Sequence, residues 1–187
     1  MDRSSLVHEL VFLIGVEELG RRTLARRTGL SEMTVRLALG RLREEGLVAL
    51  GKGGASLTRS GRRRFDPLLS RVKATGELRL LSLSQGPVSL AALLSCREER
   101  PAWQYRDLAI REGASALLLL RRGRGGWLFA HSSERIAAQN PEDARMIAGA
   151  FPQSAPEDRL IIACGEDRGR TGLALWRVVA EILFPTT

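Results

Sequence analysis

Apolar positions in the first third of the chain recur at helical spacing in three successive stretches. Residues 4–18 carry Leu6, Leu10 and Leu13 on one stripe and Val7, Val11 and Ile14 on a second, with Ser4 or Ser5 as N-cap. A small domain needs one such stripe. Two imply either a deeply buried helix or one that also faces a partner subunit or the rest of the chain. Residues 21–28 predict a short second helix with Leu24 and Ala25 inward. Gly29 supplies a turn at no steric cost, and Ser31 is placed to cap the next helix. Val35, Leu39 and Leu42 then give residues 32–45 one buried stripe, with Met33 or Leu37 at its margins. Beyond Gly46 the pattern turns to strand: Leu47–Leu50, a Gly51-Lys52-Gly53-Gly54 turn, and Ala55–Leu57. Residues 58–64 begin another helical stretch. Asp66 and Pro67 restart a helix, as cap and first-turn residue, that runs to about Ala74. Thr75-Gly76 is the expected boundary, giving domains over residues 1–75 and 76–187.

The second half changes character. Leu78–Ser84 and Val88–Leu94 read as strands around Gln85-Gly86-Pro87, and Trp103–Glu112 as an amphipathic helix that stops at Gly113. Ser115–Arg121 and Gly126–Ala130 read as a hairpin around Gly123-Arg124-Gly125. A short helix over Glu142–Ala150, a buried strand over Arg159–Ala163 and a final helix over Thr171–Phe184 complete the pattern. Strand pairs alternating with helices predict an α+β domain, its helices on one face of a largely antiparallel sheet. The apolar strands Leu117–Leu120 and Leu160–Ala163 offer a core and a sheet edge for pairing with a second subunit.

Three helices followed by a strand pair are the layout of a winged helix-turn-helix, mainly α with a β-wing, in which residues 32–45 would be the recognition helix. Such a helix needs an apolar side held by its domain and a basic side free for nucleic acid. Charge placement agrees. The chain has a net charge of +8 and a pI near 11.0, which makes an acidic polymer a natural partner. From Leu19 to Asp66 there are 12 Lys and Arg against four Asp and Glu, and the rest of the chain is balanced. Residues 67–187 carry 16 against 13, too dilute for an independent DNA surface.

Other classes find little support. Arginine outnumbers lysine 27 to two and Asn140 is the sole asparagine, which fits a thermophilic source or a nucleotide bias. Cys96 and Cys164, with no secretory segment, fit reduced thiols in a cytoplasmic protein. No apolar run approaches a membrane span of about 18–20 residues, so no membrane partner is expected. Two histidines, His8 and His131, build neither a zinc cluster nor a histidine-rich site. A Ser/His/Asp or Cys/His pairing would have to recruit one of them, and Glu98-Glu99 lies in a polar loop without a sign of a pocket. The expectation is no metal, no cofactor and no catalytic residue.

The first 65 residues resemble winged-helix transcription regulators of bacteria and archaea. SEMTVRLALGRLREEGLV is similar to the recognition segment of GntR-type repressors, and LTRSGRRR to the exit from the wing in many archaeal regulators. The whole chain resembles a small archaeal family that joins a winged helix to an uncharacterised C-terminal domain, through RDLAIREGASALLLL, GGWLFA and RLIIACGEDRGRTGLALWRVVAEI. That second domain is similar in fold to the insert domain of some bacterial aspartyl-tRNA synthetases. The resemblance implies sequence-specific binding of double-stranded DNA and regulation of transcription.

Among candidate contacts, Arg36 comes first. It lies early on the recognition helix, and arginine can donate two parallel bonds to guanine O6 and N7; a phosphate contact or a solvated charge is the alternative. Thr34 suits a phosphate or a thymine methyl, Ser31 reads as a cap or a contact, and Lys52 at the wing tip suits a phosphate or the minor groove. Arg21, Arg22, Arg41 and Arg59 complete the DNA-contacting set. In the second domain Arg106 and Asp107, with Glu166, Asp167 and Arg168, are the polar clusters suited to a small-molecule effector. Backbone N–H groups at the start of the last helix can hold an anion, yet Glu166 and Asp167 fit capping at least as well. The spacing there matches neither a Walker loop nor a dinucleotide fingerprint. The leading expectation is a homodimer placing two recognition helices roughly 34 Å apart in successive major grooves. The alternatives are a winged helix used for protein–protein or nonspecific DNA contact, or an enzyme with a catalytic C-terminal domain.

Overall fold

The structure, a computed structural model, describes residues 3–96, 100–130 and 132–185; Glu98, Glu99 and His131 lie outside the described residues. By contacts the chain divides into two compact units, 1–70 and 71–187. Helix α1 (Arg3–Val16) leads into α2 (Arg21–Thr28) and α3 (Glu32–Glu44). Strands β1 (Val48–Leu50) and β2 (Ala55–Leu57) follow, then α4 (Arg59–Arg64) and α5 (Asp66–Arg71). Ser4 and Ser5 fall inside α1 rather than capping it, because the helix already runs from Arg3. That helix is deeply buried, with Leu10, Val11, Phe12 and Ile14 all sequestered. The His8 and Phe65 rings form a T-shaped pair with centroids 5.9 Å apart.

The local chemistry of unit 1 follows its residues closely. Leu24 and Ala25 are buried, and Gly29 closes α2 in the left-handed region at φ 72°, its N–H donating to the Ala25 carbonyl. The Ser31 hydroxyl accepts from the Thr34 N–H and caps α3, while Val35, Leu39 and Leu42 form its buried face. Strand β1 pairs antiparallel with β2 from Val48↔Leu57 to Leu50↔Ala55. Gly51 N–H to Gly54 carbonyl closes the turn at 2.8 Å. On its other side Ala55 exchanges both backbone hydrogen bonds with Leu19, so the segment between α1 and α2 borders the hairpin.

The LTRSGR stretch owes its pattern to the seat of this hairpin. Leu57 is buried. The Thr58 hydroxyl accepts from the Gly61 N–H, capping α4, and donates to the Gly46 carbonyl at 2.7 Å. Gly61 packs so close to the Leu47 carbonyl that a Cβ there would lie 2.1 Å from its oxygen.

Unit 2 is an α+β structure on a five-stranded antiparallel sheet. Its strands are β3 (Val72–Glu77), β4 (Val88–Leu94), β5 (Ala116–Gly123), β6 (Gly126–Phe129) and β7 (Arg159–Gly165), ordered β3-β4-β7-β5-β6. Its helices are α6 (Ala102–Arg111), α7 (Ile136–Gln139), α8 (Pro141–Ala150) and α9 (Arg168–Leu183). Ala91, Leu93, Leu120, Leu160 and Ile162 face Ile136, Ile147 and Phe151 from the α7–α8 side. The alternate residues Leu90, Ala92, Leu94, Ile161, Ala163 and Leu117 are also buried, on the face where α6 and α9 pack. Helices therefore cover both faces, not one. The near-continuous apolar runs LAALL and LIIACG record that double burial.

Several sequence-based boundaries shift. The helix expected to reach Ala74 ends at Arg71, and Thr75-Gly76 lies inside β3, five residues beyond the division between units. Ala74 and Gly76 pair with Leu93 and Ala91 on the α7–α8 face, while a register shift puts Val72 opposite Leu94 on the other face. Two small residues and a broken alternation hide the strand in the sequence. Leu78–Ser84 is not a strand. The N–H groups of Leu81, Ser82 and Leu83 all turn onto the carboxylate of Asp143, at 2.6, 2.9 and 2.8 Å. Three consecutive amides aimed one way cannot alternate as a strand requires. Nor is Leu117–Leu120 or Leu160–Ala163 an edge, since β5 and β7 are interior strands and the edges are β3 and β6.

Candidate nucleic-acid interface

The exposed face of α3 follows from the way it is buried. With Val35, Leu39 and Leu42 inward, rotation of about 100° per residue carries Met33, Leu37 and Glu44 to the opposite side. Arg36 and Gly40 fall on one flank of that ridge and Arg41 on the other. The expectation that Met33 or Leu37 would edge the buried stripe is thus overturned. Each lies two residues from Val35, near 160° around the helix, and they are 53% and 56% exposed. That offset was available in the sequence, but both residues read as core by type alone. Gly40 has open space where a side chain would stand.

Around this ridge the charged residues are mostly unneutralised. Arg21, Arg36, Arg41, Lys52 and Arg59 are exposed, and no salt bridge joins any of them to another described residue. The Arg36 guanidinium lies 3.1 Å from the Met33 Sδ, so the two side chains lean together on the outer surface. Arg22 differs, since Glu32 lies 3.6 Å away. Ser31 and Thr34 are occupied locally: their hydroxyl oxygens are 2.9 Å apart and the Ser31 oxygen also holds the α3 N-terminus. Thr34 is half-buried.

Lys52 stands exposed at the tip of the hairpin. The Glu18 carboxyl packs against the base of the same turn, where a Cβ on Gly53 would lie 2.9 Å from it. Gly54 is the glycine the turn requires: its φ is +142°, and a Cβ there would lie 2.4 Å from the Leu19 carbonyl carbon. Arg62, Arg63 and Arg64 are all exposed, and Arg62 reaches the Gly15 carbonyl at 3.5 Å.

The polar clusters of unit 2 are placed differently. The Asp167 carboxylate caps α9 by accepting from the Arg170 N–H at 2.9 Å. Arg168 meets Glu77 at 2.5 Å, and Glu166 is exposed. Asp167 and Arg168 are thus engaged within unit 2. Arg106 and Asp107 contact one another only at 3.9 Å. Arg106 lines an open cavity of about 450 Å³ with Trp103, Leu117, Leu119, Phe129 and Ser132. Cys96 and Cys164 form no disulfide with each other. The Cys164 Sγ instead lies 3.3 Å from the Ser89 hydroxyl in the sheet. No described helix is long and apolar enough to cross a membrane.

The chain matches no protein-family model and no curated protein sequence. Among solved structures it is similar to the hypothetical protein PH0730 from Pyrococcus horikoshii OT3, with a TM-score of 0.75. The likeness covers 96% of this chain and 91% of that one at 23% sequence identity, and shows a shared fold.

Proposed function

We propose that unit 1 is a winged helix-turn-helix that binds double-stranded DNA sequence-specifically, and that the chain acts as a homodimeric transcription regulator. The observation that carries this reading is the outward face of α3. It is fixed from behind by three buried side chains, flanked by Arg36 and Arg41, and followed by a hairpin that presents Lys52. A major groove accepts one helix of this kind, and a glycine-tipped hairpin suits the neighbouring backbone. Glu32 stands at the start of α3 and Glu44 and Glu45 at its end. Phosphates are repelled at both ends, so the DNA contacts centre on Arg36 and Arg41 between them. Unit 2, with its balanced charge, is assigned association or sensing rather than sequence reading.

Arg36→Ala should relax base preference at one position of each half-site, at a cost of about 1–3 kcal/mol for the preferred base. Binding-site profiles of parent and variant measure this directly. A uniform weakening across all sequences would make Arg36 a phosphate contact. Lys52→Ala should instead weaken binding to every sequence and reduce the slope of log affinity against log salt by about one unit. Titrations at several salt concentrations test it, and an unchanged slope removes the hairpin tip from the interface.

A further inference from the structure

The charged flanks of α3 leave the chemistry of its centre unexplained. Met33 and Leu37 are two large apolar side chains, 53% and 56% exposed, one helical turn apart on the ridge that projects furthest from the buried face. Exposure of this kind has no role in holding unit 1 together. Helix packing uses the other side, and the neighbouring Gly40 position adds no bulk beside them. In the major groove one base alone presents an apolar group, the C5-methyl of thymine.

Resting on the DNA-binding reading above, we infer that the Met33–Leu37 ridge reads thymine methyl groups beside the base contacted by Arg36. The division of labour follows from position. Arg36 lies on the flank of the ridge and reaches a guanine edge with paired N–H donors, while the ridge crest meets the groove floor with carbon and sulfur. The Arg36 guanidinium lies 3.1 Å from the Met33 Sδ, so the guanine contact and the methyl contacts are neighbours on one outer surface. The bound half-site therefore carries thymines adjacent to a guanine.

The test uses the full-length protein and a duplex recovered by selection from a random pool. The same duplex is resynthesised with deoxyuridine in place of thymidine, half-site position by position. Loss of a contacted methyl should lower affinity about fourfold, the equivalent of one buried methylene-sized group. The double variant Met33→Ala/Leu37→Ala changes only exposed helix positions to a good helix former, and circular dichroism checks that it folds. It should bind thymine and uracil duplexes equally, while Arg36→Ala retains the difference. A parent protein that binds the selected duplex but ignores the methyls overturns this inference and leaves DNA binding standing. A double variant that still discriminates also overturns it. So does one that loses self-association in sedimentation without any change in methyl preference, because the ridge is then a protein contact. Recovery of no preferred duplex defeats the DNA-binding reading itself.

Discussion

Asp143→Ala is expected to destabilise unit 2 by about 3–5 kcal/mol, the largest effect of the substitutions proposed for this chain. Asp143 is fully buried in the first turn of α8. Its two oxygens accept all three N–H groups of Leu81, Ser82 and Leu83. Alanine leaves three part-buried donors without their carboxylate, and each orphan costs about 1–3 kcal/mol before water and relaxation recover part of it. Asparagine is no rescue, since its amide NH₂ must face one of the donors. The same segment carries Leu78 and Leu80, which belong to the core on that face of the sheet, and Leu83, which packs against it. Urea unfolding should show the loss, and hydrogen exchange at Leu81–Leu83 should accelerate selectively. Protected amides and a stability within 1 kcal/mol of the parent would contradict the role assigned to the carboxylate.

Gly61→Ala is expected to cost unit 1 about 2–3 kcal/mol even though alanine is the better helix former. The added Cβ meets a backbone oxygen, that of Leu47, at 2.1 Å. A side chain could swing aside, but here α4 or the start of the hairpin must move. That movement strains the Thr58 bonds to Gly46 and Gly61, which tie the hairpin to the helix. Gly40→Ala is the matched comparison, because Gly40 is helical and has open space around its Cα. It should gain about 0.5–1 kcal/mol. Unfolding curves for both variants separate the two glycines, and equal effects would deny Gly61 its packing role.

Unit 1 was legible in the sequence because its signals are local. Gly29, Ser31, the Val35–Leu39–Leu42 period and the glycine-rich turn each act within a few residues of where they stand. The LTRSGRRR pattern gains a physical meaning from Thr58 as cap and Gly61 as close contact. The sheet of unit 2 was legible in β4, β7 and the β5–β6 hairpin, but not in its edge strand β3. Leu78–Ser84 has a strand-like run of leucines, and what decides its shape is Asp143, some 60 residues away in the chain. Residue type alone could not report that partner. The short α7 escaped for a different reason, four residues being too few to show a period. In the candidate interface, Arg36, Arg41 and Lys52 stood out by charge. Met33 and Leu37 were obscured by the habit of assigning apolar residues to the interior, although their offset from Val35 already placed them outside.

The central claim is sequence-specific binding of duplex DNA through α3. Selection of bound fragments from a random duplex pool by the full-length protein, at moderate salt, tests it most directly. The account predicts enrichment of two inverted half-sites about one helical turn apart, each with a guanine whose preference disappears in Arg36→Ala. A pool that emerges without any preferred sequence, with affinity that depends on salt alone, would contradict it.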